Sequence, residues 1–538
     1  MAASIRVRDG GLSLGDRHVP LLSGEIHFWR HDPDYWDALL AQVAAEEIPL
    51  VSTYLSWRRH EPSPTNIDLY GRTDPRLDVG RFLTLCSKHG LLVQLKPGPW
   101  ICAEEKGGGY PDWLLADTDL WELDADGKPV LGYNPPFQHP VPCYLHPRYL
   151  RASKQWLQAV GERIRELVWP DGPVVMVQLD NEPSHCFRDG FTEAGHHPIT
   201  MAAFRRRAWD WAEFHGWLLA EHLREIRMTL MEAGLHGVAF SVNYNDHPVP
   251  TVPQDPATLR ESVQGVGGPD LYYVPPLRRE DIVRLALWAA LTVPAEPAPW
   301  VPEAQAGIWR SPGVSESHPD PTPAEQRFWY LAALAFGFRG LNFYMLASRE
   351  NWALAPLDSE GQPSPFLESV RAAVRVIRSF PDWGSMRPVP STLMAWPAAD
   401  LRRAWMGQGD ADQRVRQTFQ DLFDAGLIVS TRTGSEASTG LPIVDPMSSL
   451  PHSHSLTSPM SASAGALTVI QRGIQSTAIF VLNPSTANVH VELRGCQQGL
   501  HGRLVPVTEV GSRPAADRRE LDLEPWGLAV YRLEQSNG

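Results

Sequence analysis

Lysine is nearly missing from this 538-residue chain: there are five, the last at Lys154, against 43 arginines. The arginines are scattered and outline no anion-binding stripe. A net charge of −14 argues further against nucleic acid or an anionic membrane as partner. Cysteine is almost as scarce. The five present (Cys86, Cys102, Cys143, Cys186, Cys496) are odd in number and dispersed, with no Cys-x-x-Cys pair, so a disulfide framework is not expected. Loop histidines and cysteines do cluster, as His139, Cys143 and His146 and again as His185, Cys186, His196 and His197. None has the tight spacing of a structural zinc site, and no metal or other cofactor is expected. No apolar run approaches the ~20 residues of a membrane span. The polar stretch Met1–Gly10 leads into no apolar leader segment, so the expected location is cytoplasmic.

What the chain does contain is a recurrence of short β-rich runs, most of them followed by a helical pattern. They are Leu21–Phe28, Pro49–Leu55, Leu91–Pro97, Val174–Asp180, Val238–Val242, Asp270–Val274, Ala298–Pro302 and Gly340–Met345. Helical periodicity fills Tyr149–Val168, Arg205–Ala233 and Phe366–Phe380. Eight alternating units predict an α/β fold, a parallel sheet closed into a (β/α)₈ TIM barrel over residues 1–385. A small α/β domain is expected over 386–446, with Gln413–Asp424 helical and Gly426–Ser430 a strand. A Ser/Pro-rich linker or loop follows at 447–465. The runs ALTVIQ, AIFVLN, NVHVEL and LAVYRL predict a C-terminal antiparallel β-domain over 466–538.

Polar and aromatic residues crowd the C-terminal ends of the barrel runs, the end at which such barrels carry their sites. The fourth run ends in Gln178-Leu179-Asp180-Asn181-Glu182-Pro183 and the seventh in Trp300-Val301-Pro302-Glu303. Hydrolysis of a glycosidic bond with retention needs two carboxyl groups, one protonated to release the leaving oxygen and one ionised to attack the anomeric carbon. Glu182 is the expected acid/base and Glu303 the expected nucleophile. The pKa of Glu182 should accordingly be raised while Glu303 stays charged. Adjacent strand residues face opposite sides, so Asn181 and Glu182 enter one pocket only if the chain bulges or turns there.

Several of these segments resemble glycoside hydrolase family 35, the β-galactosidase family. The similarity lies in SGEIHFWR (Ser23–Arg30), VSTYLSWRRHEP (Val51–Pro62), PGPWICAEEKGGGYPDWLL (Pro97–Leu115), GPVVMVQLDNEPS (Gly172–Ser184) and WVPEAQAGIW (Trp300–Trp309). The resemblance implies sugar contacts at Tyr54, Cys102, Glu104, Asn181 and Tyr344. Trp100, Trp309 and Trp352 are further candidates, as rings able to stack on a pyranose. A salt bridge to an arginine or Lys106 is the alternative role for Glu104, and packing the alternative for the tryptophans. The sequence departs from the family pattern after Glu182, after Glu303 and at Ala347–Trp352.

The function implied is a retaining, exo-acting glycoside hydrolase releasing terminal β-galactose from a small oligosaccharide or glycoside. The loop Leu123–Pro147 would cap its pocket. An exo-β-glucosaminidase or another β-glycosidase on the same barrel is the alternative. A non-catalytic carbohydrate-binding barrel is the rival of another class. Assembly into a homo-oligomer is compatible with the sequence.

Overall fold

The computed structural model describes residues 5–134, 137–183, 194–245, 256–310, 319–432, 441–448, 466–493, 503–514 and 520–534. Eight strands close into a parallel barrel: β1 (Leu22–Glu25), β2 (Leu50–Tyr54), β3 (Leu92–Lys96), β4 (Val174–Gln178), β5 (Ala239–Tyr244), β6 (Val266–Leu271), β7 (Trp300–Gln305) and β8 (Gly340–Tyr344). β8 pairs back onto β1, Leu341 against Leu22. Each strand is followed by a helix of the outer ring: α1 (Trp36–Ala45), α2 (Val79–Lys88), α3 (Pro147–Ile164), α4 (Trp211–Glu232), α5 (Pro256–Val263), α6 (Arg279–Ala295), α7 (Pro323–Phe336) and α8 (Leu367–Arg378). This is the expected TIM barrel.

The helices form where caps and periodicity agree. Asp210 and Glu213 make a reciprocal capping box on α4, as do Thr322 and Glu325 on α7, and Gly337 ends α7 in the left-handed region. In α8 the buried Leu367, Val370, Ala373, Val374 and Ile377 form one apolar stripe toward the barrel.

Two elements differ from expectation in ways that bear on the site. β6 is Val266–Leu271, upstream of the expected Asp270–Val274. Its sequence, VGGPDL, has little β propensity, but a Cβ on Gly268 would sit 2.4 Å from the Trp300 carbonyl oxygen. Glycine is what lets β6 approach β7, and Tyr272 and Tyr273 are thereby carried past the strand end. β7 runs on through Glu303 to Gln305, with a register shift against β8 between Val301 and Ala304. A bulge at Pro302–Glu303 re-aims the side chains there, a device common beside functional sites.

A three-stranded antiparallel sheet (Ile5–Arg8, Gly11–Leu14, Arg17–Pro20), absent from the sequence expectation, precedes the barrel. Its Leu12, Leu14 and Val19 pack with Leu50, Leu92, Val175 and Val266 at the strand starts, closing the N-terminal mouth of the barrel. Beyond the barrel, Thr392–Ala395 pairs in parallel with Val429–Arg432 and Ile443–Val444, flanked by helices Ala398–Trp405 and Ala411–Asp424. The last segments form an antiparallel sheet of Leu467–Arg472, Thr477–Leu482, Val489–Glu492, Arg503–Pro514 and Glu520–Glu534, edged by Arg387–Pro388. Phe419, Phe423, Phe480 and Val530 belong to the same apolar core as the barrel. Of the Ser/Pro-rich stretch, residues 449–465 lie outside the described residues. Among the described residues no helix is long and apolar enough to cross a membrane.

Candidate active site

Polar side chains from β1 to β8 converge at the C-terminal mouth of the barrel, where each strand end is shielded by its neighbours. Glu25, Lys96, Gln178, Asn243, Asp270 and Asn342 are all fully buried there. A charge in an apolar barrel wall is costly unless it is paired, and the pairing is visible. Lys96 Nζ lies 2.8 Å from Glu25 Oε2, which also accepts from Asn342 Nδ2 at 2.8 Å. Burial opposes ionisation of Glu25, but Lys96 and the neighbouring His27 outweigh it and hold its pKa at about 2.

Glu303 stands on the far side of the same lysine, 3.7 Å from Nζ. Tyr54 donates to its Oε1 at 2.7 Å and Tyr272 to its Oε2 at 2.5 Å. Burial pushes Glu303 up to about 7, against the pull of Lys96 and the two tyrosines. The expectation of an ordinary charged carboxylate is therefore corrected: the dry pocket and the nearby Glu25 raise it. Burial drives the Tyr54, Tyr272 and Tyr344 hydroxyls well above their usual range, so all three stay neutral donors.

The Asn181–Glu182 pair meets the geometric condition set by the sequence. β4 stops at Gln178, and Asp180 and Glu182 take φ of 57° and 37°. The chain turns, and both Asn181 and Glu182 end buried, at 2% and 3% exposure. Left-handed backbone costs roughly 1–2 kcal/mol per residue, so something must hold the turn. Asp180 Oδ1 accepts from the Trp100 amide at 2.9 Å, and Oδ2 lies 3.0 Å from His222 Nε2. His222 in turn stacks on Tyr144 with ring centroids 3.9 Å apart. Asn243 completes the anchor: its Oδ1 accepts from the Glu182 amide at 3.0 Å, and its Nδ2 donates to Asn181 Oδ1 at 2.7 Å. The Asn181 oxygen also meets the Tyr54 hydroxyl, at 2.5 Å, so one hydrogen-bonded chain links Glu303, Tyr54, Asn181 and Asn243. Asn245 Nδ2 reaches Glu182 Oε1 at 3.3 Å.

Cys102, Ala103 and Glu104 form a second left-handed turn, with φ of 52°, 50° and 47°. Arg30 Nη2 donates to the Ala103 carbonyl at 2.9 Å. The following glycines have positive φ, and a Cβ on Gly108 would lie 1.3 Å from the Trp100 ring. The triple glycine thus lets the loop fold flat on Trp100, which also packs on His139 of the Leu123–Pro147 loop. Burial, with Glu104 and Glu182 nearby, keeps the Cys102 thiol protonated. Glu104 is paired with the fully buried Arg349, the salt-bridge arrangement, while Tyr344 Oη lies 3.4 Å from the same carboxylate oxygen. Trp352 packs edge-on against Tyr344 and gives its N–H to the Ala306 carbonyl at 2.7 Å. Trp309 is half-buried on a two-residue strand paired with Trp352.

The loop histidines have structural partners. His146 and His197 accept backbone N–H bonds at the starts of α3 and of helix Pro198–Arg205, and Cys143 contacts Thr200 Oγ1 at 3.2 Å. His185 and Cys186 lie outside the described residues. Glu25, Lys96, Asn243, Asp270, Tyr272 and Arg349 were not singled out from the sequence. The usable signal was a lone charge inside an apolar strand run, as in SGEIHF and LLVQLKP.

The glycosyl hydrolases family 35 sequence model matches residues 12–126. Over that stretch the chain is similar to glycoside hydrolases. An exo-beta-D-glucosaminidase of Pyrococcus horikoshii is 35% identical over 181 residues, covering 33% of this chain and 23% of the relative. A beta-galactosidase of Xanthomonas manihotis is 33% identical over 177 residues, covering 33% and 25%. The chain thus spans about a quarter of the length of the curated relatives it matches. Among solved structures, the beta-galactosidase of the psychrophilic Marinomonas ef1 superposes over 95% of this chain and 100% of its own, with a TM-score of 0.68 at 13% identity. At that identity the likeness establishes the fold alone.

Proposed function

We propose that the protein is a retaining, exo-acting β-glycosidase that releases terminal β-galactose by double displacement. Glu303 attacks the anomeric carbon while Glu182 gives its proton to the departing aglycone oxygen. Water, deprotonated by Glu182, then cleaves the glycosyl–Glu303 ester. The observation that carries this reading is the grip on Glu303. Lys96, Tyr54 and Tyr272 favour its anion against the burial that raises its pKa, and Glu182 is buried on the turn after β4. A decayed sugar-binding barrel would have no need of that grip. Exo action would follow if Trp100 and His139, which packs on it, cap the pocket.

The exo-β-glucosaminidase reading draws on the relatives of that name. Asn181 favours the galactoside. Its oxygen is engaged by the Asn243 amide, which leaves its N–H₂ to donate to the sugar's 2-substituent. A 2-hydroxyl can accept that bond and a protonated 2-amine cannot. Aryl β-galactosides, β-glucosaminides, β-glucosides and β-fucosides should be compared, with azide added to the Glu303→Gly variant. Galactoside hydrolysis with α-galactosyl azide formation is expected. Wild-type activity in Glu303→Gly, or sugar binding with no hydrolysis of any glycoside, sinks the proposal.

A further inference from the structure

Asp270 lies near the C-terminal end of β6, paired across the sheet with Glu303 of β7, and its side chain is fully buried. Its Oδ2 accepts from Asn243 Nδ2 at 2.5 Å, and its Oδ1 has no hydrogen-bond partner among the described residues. Among those residues no cation forms an ion pair with it, Lys96 being engaged with Glu25 and Glu303. The charged groups that face it are Glu303, Glu182 on the turn after β4 and Lys96 on β3, with the neutral hydroxyls of Tyr54 on β2 and Tyr272 after β6 nearby. An anion here would confront two other carboxylates in a dry pocket, with a single amide donor to stabilise it.

Asn243 cannot turn its amide round. Its oxygen faces the Glu182 backbone N–H and Gln178 Nε2, both donors, so its N–H₂ must face Asn181 and Asp270. Asp270 is therefore the acceptor that fixes one of the two Asn243 hydrogens. The other hydrogen holds Asn181, and the oxygen holds the backbone of the acid/base.

We propose that Asp270 is a positioning residue which, as an uncharged carboxylic acid, anchors Asn243 and through it the turn carrying Asn181 and Glu182. It thereby leaves the negative charge of this corner of the pocket to Glu303. The proposal rests on the glycosidase reading for its catalytic consequence. Burial, reinforced by the Glu303 charge, also drives the Asp270 carboxyl well above the ordinary carboxylate range.

Two variants and one spectrum test it. Asp270→Ala removes the acceptor, and Asp270→Asn keeps an uncharged carbonyl of the same size. With the best aryl glycoside, Asp270→Ala should lose about tenfold in kcat, the equivalent of one hydrogen bond, with KM within about twofold. Asp270→Asn should restore kcat to within about threefold, with the acid limb of the pH profile unmoved. At neutral pH the infrared difference between wild type and Asp270→Asn should show a protonated carboxylic-acid C=O band. The proposal is overturned if Asn is as damaging as Ala, if Ala is as active as wild type, or if the difference spectrum shows a carboxylate. A wild type that cleaves no glycoside would defeat the glycosidase reading instead, and the infrared band would still decide the state of Asp270. The same band decides it if Asp270→Ala does not fold.

Discussion

Replacing Glu303 by glutamine should stabilise the protein in a pH-dependent way, and the size follows from the site. Its carboxyl is raised from 4.5 to about 7, chiefly by burial. At 1.36 kcal/mol per pH unit, that rise corresponds to about 3 kcal/mol of folding free energy. The folded state holds a proton that the unfolded chain has released, so this stabilisation is complete below about pH 4.5 and is lost as pH rises through about 7. Integrating between the two titrations places about 2–3 kcal/mol of the loss between pH 5 and pH 8. Glutamine cannot titrate, so the Glu303→Gln variant escapes it.

Glutamine also changes the bonds to Tyr54 and Tyr272, but that difference is the same at every pH and cancels when two pH values are compared. The assay is thermal and urea unfolding of both proteins at pH 5 and pH 8, scored on the transition that includes the barrel. The variant should gain about 2–3 kcal/mol on wild type between the two pH values, a difference of a few degrees in midpoint. If the two proteins shift in parallel, Glu303 titrates in its ordinary range and the argument from burial fails. On the proposed mechanism, where attack needs the anion, the same titration predicts an acid limb near pH 7 in kcat/KM.

Lys96→Met should leave Glu25 as an uncompensated buried charge, a loss of about 3–5 kcal/mol measurable by urea unfolding. In the same variant the acid limb of kcat/KM should move upward, because Glu303 loses its cation 3.7 Å away; an unchanged denaturation midpoint would show the pairing to be unimportant. Tyr272→Phe removes a donor from Glu303 Oε2 at no cost in volume. A hydrogen bond to a charged group is worth about 1.5–3 kcal/mol, so kcat/KM should fall roughly ten- to hundredfold. Full activity in that variant would remove Tyr272 from the site.

The strand count and the placement of the two glutamates at strand ends were legible in the sequence because each depends on local pattern: apolar runs end in polar residues, and Asn181-Glu182 closes one such run. β6 was misplaced because its residues are chosen for a tertiary need. Gly268 must let Trp300 approach, and β propensity pointed instead to the tyrosines downstream. A turn at Asp180–Glu182 was required by the neighbouring Asn181 and Glu182, but its left-handed form was not legible, since distant partners such as Trp100 and His222 hold it; the bulge at Pro302–Glu303 left no local signal.

The electrostatic frame was the least legible part, and it determines how the glutamates behave. Glu25, Lys96 and Glu303 come from β1, β3 and β7, and no local window contains two of them. One lysine serves two buried carboxylates at 2.8 and 3.7 Å, so the charge of the mouth depends on which acids keep their protons. Glu25, bonded also by Asn342, is fixed as an anion, and that charge adds to the burial that raises Glu303. If Glu303 is the nucleophile proposed above, a carboxyl titrating near pH 7 is poised: binding a sugar that brings donors to its oxygens would favour the reactive anion. The cost in stability and the readiness for attack therefore have one origin, the burial of Glu303 beside a lysine already committed to Glu25.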